Sequence, residues 1–249
     1  MDTATVTLAE RPDLTEAMWA MPDSWPEFML EDPVVNAHFG RLPVDFAEYQ
    51  IVALGPGDTV IAKVHSIPFA WSGADGDLPD RGVDGMLLRA FGDRLHGRET
   101  NAVSLLEAHI EPAYRNRGLS SELLRIAAAN ARRLGKSDLF GPVRPTGKEH
   151  EPWTPMVDYA HRKRDDGLPV DNWLRTHVRL GGRIARVCPA SMTIAGSLAQ
   201  WRAWTGLPFD TSGLIEVPGA LAPVAVSVEQ DNAVYVEPNV WVHHPLRGQ

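Results

Sequence analysis

The sequence predicts a mixed α/β (α+β) fold in which a mostly antiparallel central sheet is flanked by helices. The first observation is a hairpin, because two strand-like runs at residues 46–54 and 59–70 are separated by the sequence GPGD at 55–58. Gly and Asp tolerate the positive φ angles that such a turn needs. The second observation is an amphipathic helix, since apolar residues recur at spacings of three and four over residues 119–134.

The remaining chain is assigned from the same kinds of pattern. Residues 1–43 are rich in Pro, Trp and acidic side chains, and we interpret them as an N-terminal extension that packs on a domain formed by residues 44–249. Short helical pieces are expected in the extension near 13–21 and 26–37, and a Gly- and Asp-rich loop at 72–99 follows the hairpin. The other predicted elements are, in order, an amphipathic piece at 84–95, a strand at 101–111, the helix at 119–134, a strand at 138–143, helices at 153–166 and 171–180, a strand at 183–187, a helix near 196–204 and two strands at 222–229 and 233–242.

Composition excludes several classes of protein. The chain has 249 residues, 44% of them apolar, which is enough for a sizeable core without disulfide staples. Its 24 basic and 32 acidic residues give a net charge of −8, which argues against a general nucleic-acid binder. The single cysteine, Cys188, excludes an internal disulfide framework and a thiolate zinc site, and fits a reducing compartment. Because the sequence has neither a run of about 18 apolar residues nor a basic and then apolar N-terminus, we expect a cytoplasmic protein.

The stretch from residue 105 to residue 134 carries the strongest functional signal, a loop between a strand and a helix. The first backbone N–H groups of a helix have no partner within the helix, and the helix dipole adds partial positive charge there. Such a loop can bind phosphate oxygens, and Gly118 allows their close approach. Six basic residues and one acidic residue between 113 and 136 give a local charge of +5. This asymmetry predicts a polyanionic ligand, with a solvated helix face as the alternative.

Residues 115–120 (RNRGLS) resemble the R/Q-x-x-G-x-G/A signature of the GNAT-type N-acetyltransferases, and residues 110–115 (IEPAYR) resemble the V-x-P-x-Y-R sequence that precedes it. Ser120 replaces the usual Gly or Ala but is also small. The resemblance extends from Phe46 to the C-terminus, about four fifths of the chain, and implies a GNAT-like acyltransferase fold. It also implies that the amides of this loop hold the pyrophosphate of acyl-coenzyme A. The residues implied to bind the cofactor are Ile110, Arg115, Asn116, Arg117, Gly118, Leu119 and Ser120.

Residues 177–182 (HVRLGG) resemble a second landmark of the family, Y-x-x-x-G-F, at the end of a helix. His177 stands where the family has a Tyr that commonly returns a proton to the coenzyme A thiolate, and Gly182 stands where the family has a Phe. Because histidine titrates near neutrality, His177 is a candidate general acid, neutral or protonated. The alternative is a helix-end residue on the carrier face with no part in the reaction.

Polar residues in the predicted central strand are the candidates for a general base. Alternation places Leu105, Glu107, His109 and Glu111 on one face of this strand. Polar side chains are costly there unless they are paired, so we interpret Glu107 or His109 as the base that takes the amine proton, directly or through a water. A satisfied internal pair is the alternative. The resemblance places the acyl group beside this strand, where a backbone N–H near Ile110 would polarise its carbonyl.

The resemblance and the candidate residues together imply an acyl-CoA-dependent N-acetyltransferase, with acetyl-CoA or another acyl-CoA as co-substrate and the amine of a small molecule as acceptor. Two alternatives stay open, an acyl-CoA hydrolase or decarboxylase on the same fold and a non-catalytic coenzyme A-binding module. No metal is expected, because His243 and His244 would point to opposite faces of a strand and no third ligand stands out. Neither nucleic acid nor a membrane is expected as a partner, and a homodimer is left open.

Overall fold

The computed structural model describes residues 4–22, 24–115 and 117–246. The strands are β1 (Ala4–Thr7), β2 (Gln50–Leu54), β3 (Val60–Phe69), β4 (Ala102–Ile110), β5 (Asp138–Val143), β6 (Arg183–Gly196), β7 (Gly213–Ile215), β8 (Val224–Ser227) and β9 (Asn232–Pro245). The helices are α1 (Thr15–Trp19), α2 (Pro33–His38), α3 (Leu42–Asp45), α4 (Gly82–Leu95), α5 (Leu119–Arg133), α6 (Met156–Ala160), α7 (Asn172–Arg179) and α8 (Leu198–Thr205). No helix within these ranges combines the length and the apolar character that a membrane crossing needs.

The strands form one sheet in the order β1-β2-β3-β4-β5-β9-β8-β7, and β6 pairs with the other side of β9. Strands β4 and β5 run parallel, and every other pair in the described ranges is antiparallel. Strand β9 spans 14 residues, which is long enough to pair with β8 near its start and with β5 near its end. The predicted mixed, mostly antiparallel sheet flanked by helices is therefore confirmed.

Local sequence explains the ends of the elements around the site. The turn between β2 and β3 needs positive φ at Gly57 (67°) and Asp58 (59°), and both residue types tolerate it. Helix α7 begins after Asp171, whose carboxylate accepts hydrogen bonds from two backbone N–H groups of the first turn. Helix α5 is followed by Gly135 in the left-handed conformation, with φ of 74°. These local signals set where the helices start and stop.

The N-terminal residues contribute to both the sheet and the core. Strand β1 pairs with β2 and extends the sheet by one edge strand, which the sequence patterns did not predict. Phe28, Met29 and Leu42 are buried in the main core together with residues of α4, α5 and the sheet. Burying three large apolar side chains contributes about 1.5–3 kcal/mol each to the attachment of this segment. The division into an N-terminal extension of residues 1–43 and a domain of residues 44–249 stays a prediction.

Several predicted elements differ in length from the observed ones, and two of them show the physical reason. The helix predicted over 153–166 is only α6, five residues long, because the chain then turns back and Lys163 forms a β-bridge with Pro169. The strand predicted over 183–187 continues as β6 to Gly196, because it pairs with β9 along most of its length. In both cases a tertiary contact decides the boundary.

Candidate active site

A cleft opens where the parallel strands β4 and β5 stop pairing. Their ladder has only three residue pairs, which join Ala102–Ser104 of β4 to residues 138–140 of β5. Beyond them lies a cavity of about 900 Å³, walled by residues 105–108 and Ile110 of β4 and by residues 141–144. In the described part of the chain, this edge of β4 has no strand partner beyond Ser104, so its backbone can bind a ligand.

A β-bulge in β4 accompanies the separation of the strands. Leu105 pairs with Ser66 and Glu107 pairs with His65, so Leu106 is an extra residue in β4. A bulge bends its strand and redirects the side chains that follow. Because Ser66 and His65 point to opposite faces of β3, Leu105 and Glu107 also lie on opposite faces. The prediction that Leu105 shares the face of Glu107 is therefore wrong, since strict alternation does not hold across a bulge.

Glu107 lies in the cavity wall within a buried polar cluster. Its side chain is 8% exposed, and its Oε1 accepts a hydrogen bond of 3.0 Å from Nε1 of Trp25. Its Oε2 lies 3.8 Å from Nζ of Lys63 and 3.7 Å from Nε2 of His65. Lys63 and His65 belong to β3 and pair in register with His109 and Glu107. The carboxylate is thus shielded from bulk water but borders the cavity, which suits a general base.

The N-terminal segment covers this cluster from the cavity side. Trp19 stacks on His65 with ring centroids 5.1 Å apart, and Nζ of Lys63 lies 5.4 Å from the centre of the Trp19 ring. Burial lowers the pKa of His65 to about 4, so its imidazole is neutral at pH 7. Lys63 and His65 were not predicted from the sequence, although two ionisable residues spaced by two in a largely apolar strand were a usable signal.

His109 is set back from the cavity. It is buried, and its Nδ1 lies 3.3 Å from Oγ of Ser24, which itself borders the cavity. The structure therefore brings Glu107 to the cavity wall and leaves His109 behind Ser24. The catalytic roles predicted for Glu107 and His109 stay predictions.

The loop before α5 leads into the helix through a glycine in the left-handed conformation. Gly118 directly precedes the helix with φ of 79°, a left-handed conformation that favours glycine. The side chain of Leu119 is buried in the core. Ser120 borders the cavity, which joins the loop to the cleft. Asn116, a predicted cofactor-binding residue, lies outside the described residues.

The two arginines of this loop take different positions. Nε of Arg115 donates a hydrogen bond of 3.1 Å to the carbonyl oxygen of Ile110, which ties the loop to the end of β4. The guanidinium of Arg117 lies 5.3 Å from the centre of the Tyr114 ring. Both groups keep positive charge close to the start of α5, where the helix dipole has the same sign. Their predicted role in binding the cofactor stays a prediction.

His177 borders the cavity, but it is not a protonated acid. Its Nδ1 lies 2.9 Å from Nε2 of His244, and Trp173 packs edge-on against its ring. Burial and the neighbouring His244 lower the pKa of His177 to about 3, so the ring is neutral. The hypothesis that His177 is a protonated acid is therefore not supported. Two interpretations remain, a neutral general acid and a helix-end residue with no part in the reaction. Within the described ranges, no group of three His, Cys, Asp or Glu side chains is arranged to hold a metal ion.

A second polar cluster in the cavity wall was not identified from the sequence. Nε of Arg144 donates to Oε2 of Glu237 at 3.1 Å, while Tyr235 and Asn239 donate to the two oxygens of Glu237 at 3.0 Å each. The Arg144 guanidinium lies 5.5 Å from the centre of the Trp25 ring, and Trp25 also donates a hydrogen bond to Glu107. No local signal could find this pair, because Arg144 and Glu237 are 93 positions apart.

Known proteins are similar to this chain in sequence and in fold, although no family model matches it. The chain is 34% identical over 272 residues to the arginine N-acetyltransferase avaD of Aspergillus versicolor, and the match covers 96% of this chain and 93% of the relative. The loading GNATL domain of CurA from Lyngbya majuscula has the same fold, with a TM-score of 0.63, 17% identity and coverage of 100% of this chain and 98% of that one. The GphF GNAT-like decarboxylase in complex with isobutyryl-CoA matches with a TM-score of 0.51, 17% identity and coverage of 99% and 100%. The chain therefore belongs to the GNAT-type acyl-CoA N-acyltransferase superfamily and is an N-acetyltransferase.

Proposed function

We propose that this N-acetyltransferase moves the acetyl group of acetyl-CoA to the amine of a small cationic molecule, with Glu107 as the general base. The observation that carries the proposal is the position of Glu107, a shielded carboxylate in the wall of the cavity where β4 and β5 separate. A relative with 34% identity is an arginine N-acetyltransferase, so arginine is the first acceptor to test.

The residues before α5 support the proposed site for the diphosphate of coenzyme A. A side chain at Gly118 would meet no described atom within 4 Å apart from its chain neighbours, so the approach to the helix start is open. The first N–H groups of α5 have no partner within the helix, and the charges of Arg115 and Arg117 add to their attraction for an anion. In this proposal residues 115–120 hold the diphosphate, and Ile110 lies beside the acyl group. When bound, acyl-CoA supplies the activated thioester.

Glu107 takes the proton that the acceptor amine must lose before it can form the new amide bond. Its Oε1 is held by Trp25, which leaves Oε2 for the proton. The cover formed by Trp19 and Trp25 limits the water that would compete with the amine for the acyl group. The chain thus supplies a positioned base in a shielded site, a contribution that is typically worth about 10²–10⁴ in rate.

The charged side chains of the cavity wall favour a cationic acceptor. Three carboxylates and two cations border the cavity, and His177 is neutral. These groups are Glu107, Glu149, Glu237, Lys63 and Arg144. The excess of one negative charge attracts a molecule that carries a positive charge besides its reacting amine. A guanidinium-bearing amino acid satisfies this requirement.

Thiol release from acetyl-CoA, measured with a panel of amines that includes arginine, tests the proposal. We expect turnover with a cationic amine, and Glu107→Gln should lower kcat by about 10²-fold or more while KM for acetyl-CoA stays unchanged. The matched control is Glu111→Gln, just beyond the end of the same strand, which should keep the wild-type rate. Acetyl-CoA turnover without any amine would favour the hydrolase or decarboxylase alternative, and no heat on titration with coenzyme A would contradict the binding site.

The location of the protein is a separate proposal. Cys188 is a free, buried cysteine, and this use of a single thiol supports a reducing compartment, the cytoplasm. Fractionation of cells that produce the tagged chain tests this, and recovery in a secreted or membrane fraction would contradict it.

A further inference from the structure

Gln50 determines which nitrogen of a neighbouring histidine carries the proton. Its side-chain Nε2 donates hydrogen bonds to the carbonyl oxygens of Phe46 (2.8 Å) and Ser66 (2.9 Å). Because carbonyl oxygens only accept, the NH2 group must face them, and Oε1 is left to face Nδ1 of His65 at 2.9 Å. An amide oxygen also only accepts. Nδ1 of His65 is therefore the nitrogen that carries the proton.

His65 consequently presents an unprotonated nitrogen to Glu107. In a neutral imidazole one nitrogen donates and the other accepts, so Nε2 is an acceptor. This atom is buried and has no hydrogen-bond partner among the residues that the structure describes, while Oε2 of Glu107 lies 3.7 Å away. The ring is packed against Trp19 and Phe39, and its burial keeps it neutral.

These two acceptor atoms become complementary only when Glu107 is protonated. As a carboxylate, Glu107 offers Oε2 without a hydrogen to an Nε2 that also lacks one. Once Oε2 has taken the amine proton, its O–H can donate to Nε2 of His65 as the atoms move together, to about 2.8 Å. A hydrogen bond to the protonated form raises the proton affinity of a carboxyl group. The arrangement therefore favours protonated Glu107, which is the state that follows removal of the amine proton.

We propose that His65 is a positioning residue that makes Glu107 a stronger base, and that Gln50 sets the tautomer that this requires. The inference rests on the proposed function, in which Glu107 removes the amine proton. In that step the N–H bond of the amine breaks and an O–H bond forms at Oε2, with Nε2 of His65 holding the new hydrogen. The proton then passes from Oε2 to the departing thiolate or to solvent, which restores the carboxylate. His65 stays neutral throughout.

Other charged groups act on the same proton. Nζ of Lys63, at 3.8 Å from Oε2, favours the carboxylate and so opposes the effect of His65. The remaining titratable or charged groups on the shared strand face or in the cavity wall are His109, Arg144, Glu149, His177 and Glu237. Because none of them is altered in the variants below, a shift of the pH profile reports on His65 itself.

Two substitutions remove Nε2 of His65 in different ways. His65→Asn keeps an amide that can reach Gln50, whereas His65→Phe keeps a ring that can stack on Trp19. In both variants we expect kcat to fall about tenfold and the acid limb of its pH profile to move down by about one unit, with KM for acetyl-CoA unchanged. The matched control is Ser66→Ala, which removes a buried hydrogen bond of 2.8 Å to the carbonyl of Tyr49. It should keep the wild-type acid limb.

The outcomes separate this inference from the proposed function. A wild-type acid limb in both His65 variants, together with an inactive Glu107→Gln, would overturn the role of His65 and leave the proposed function standing. An active Glu107→Gln would overturn both. If neither His65 variant folds, the nitrogen NMR spectrum of the wild-type protein decides. We expect the Nδ1–H tautomer of His65, and a proton on Nε2 would overturn the inference.

Discussion

Gly118 offers a direct test of the loop that we propose binds the diphosphate. Its φ of 79° lies in the left-handed region, where a residue with a side chain pays roughly 1–2 kcal/mol. Since a Cβ would meet no described atom within 4 Å beyond its chain neighbours, Gly118→Ala changes the backbone preference without a clash. Destabilising the binding-competent loop conformation by about 1–2 kcal/mol lowers its population, and this raises the apparent Kd for acetyl-CoA roughly five- to thirtyfold. Calorimetric titration and the KM of thiol release both measure this change.

The control for this variant is Gly135→Ala at the other end of α5. Gly135 has φ of 74° and equally open surroundings, so the backbone penalty should be similar. For a chain of this size, about 1–2 kcal/mol corresponds to a loss of roughly 2–8 °C in Tm for each variant. We expect weaker acetyl-CoA binding in Gly118→Ala alone. Equal Kd values in the two variants, at equal losses of Tm, would refute the assignment of the loop as the diphosphate site.

Three further predictions concern buried polar groups. Burial and the charge of Asp32 raise the pKa of Asp84 to about 7, so the stability that protonated Asp84 contributes is fully present below about pH 4 and is lost as the pH rises through 7. In urea unfolding, the stability of Asp84→Asn should therefore depend less on pH between 5 and 8 than that of the wild type. An unchanged dependence of stability on pH would contradict this. His177→Phe should leave both limbs of the kcat profile between pH 5 and 9 in place, because the pKa of His177 is about 3, and loss of a limb would show that it titrates in the reaction. The buried ammonium of Lys148 donates to three main-chain carbonyls, so Lys148→Met should lower the free energy of unfolding by about 3 kcal/mol or more in chemical denaturation; a loss below 1 kcal/mol would mean that water replaces the ammonium.

The start of α5 and the loop before it could be predicted because their signals are local. A left-handed glycine, a helical repeat of apolar residues and a cluster of basic side chains all lie within residues 113–136. The same applies to Glu107, which stands out as a polar residue in an apolar strand. The face of β4 on which Glu107 lies, relative to Leu105, could not be predicted, because the bulge at Leu106 depends on how β4 pairs with β3.

The partners of the candidate site residues come from distant parts of the chain. Trp25 is 82 positions from Glu107, and His244 is 67 positions from His177. Neither spacing has a period that a sequence pattern can reveal. The low pKa of His177 follows from this packing, so the residue could be singled out as titratable but not recognised as neutral.

Local order along the chain was thus sufficient to predict the family, the class of fold and the position of the turn before α5, because each depends on neighbouring residues and on hydrogen bonds within one element. The folded chain alone decided which side chains surround Glu107, which nitrogen of His65 faces it and where the cavity opens. Those properties depend on strand register, on desolvation and on contacts between segments that only packing brings together.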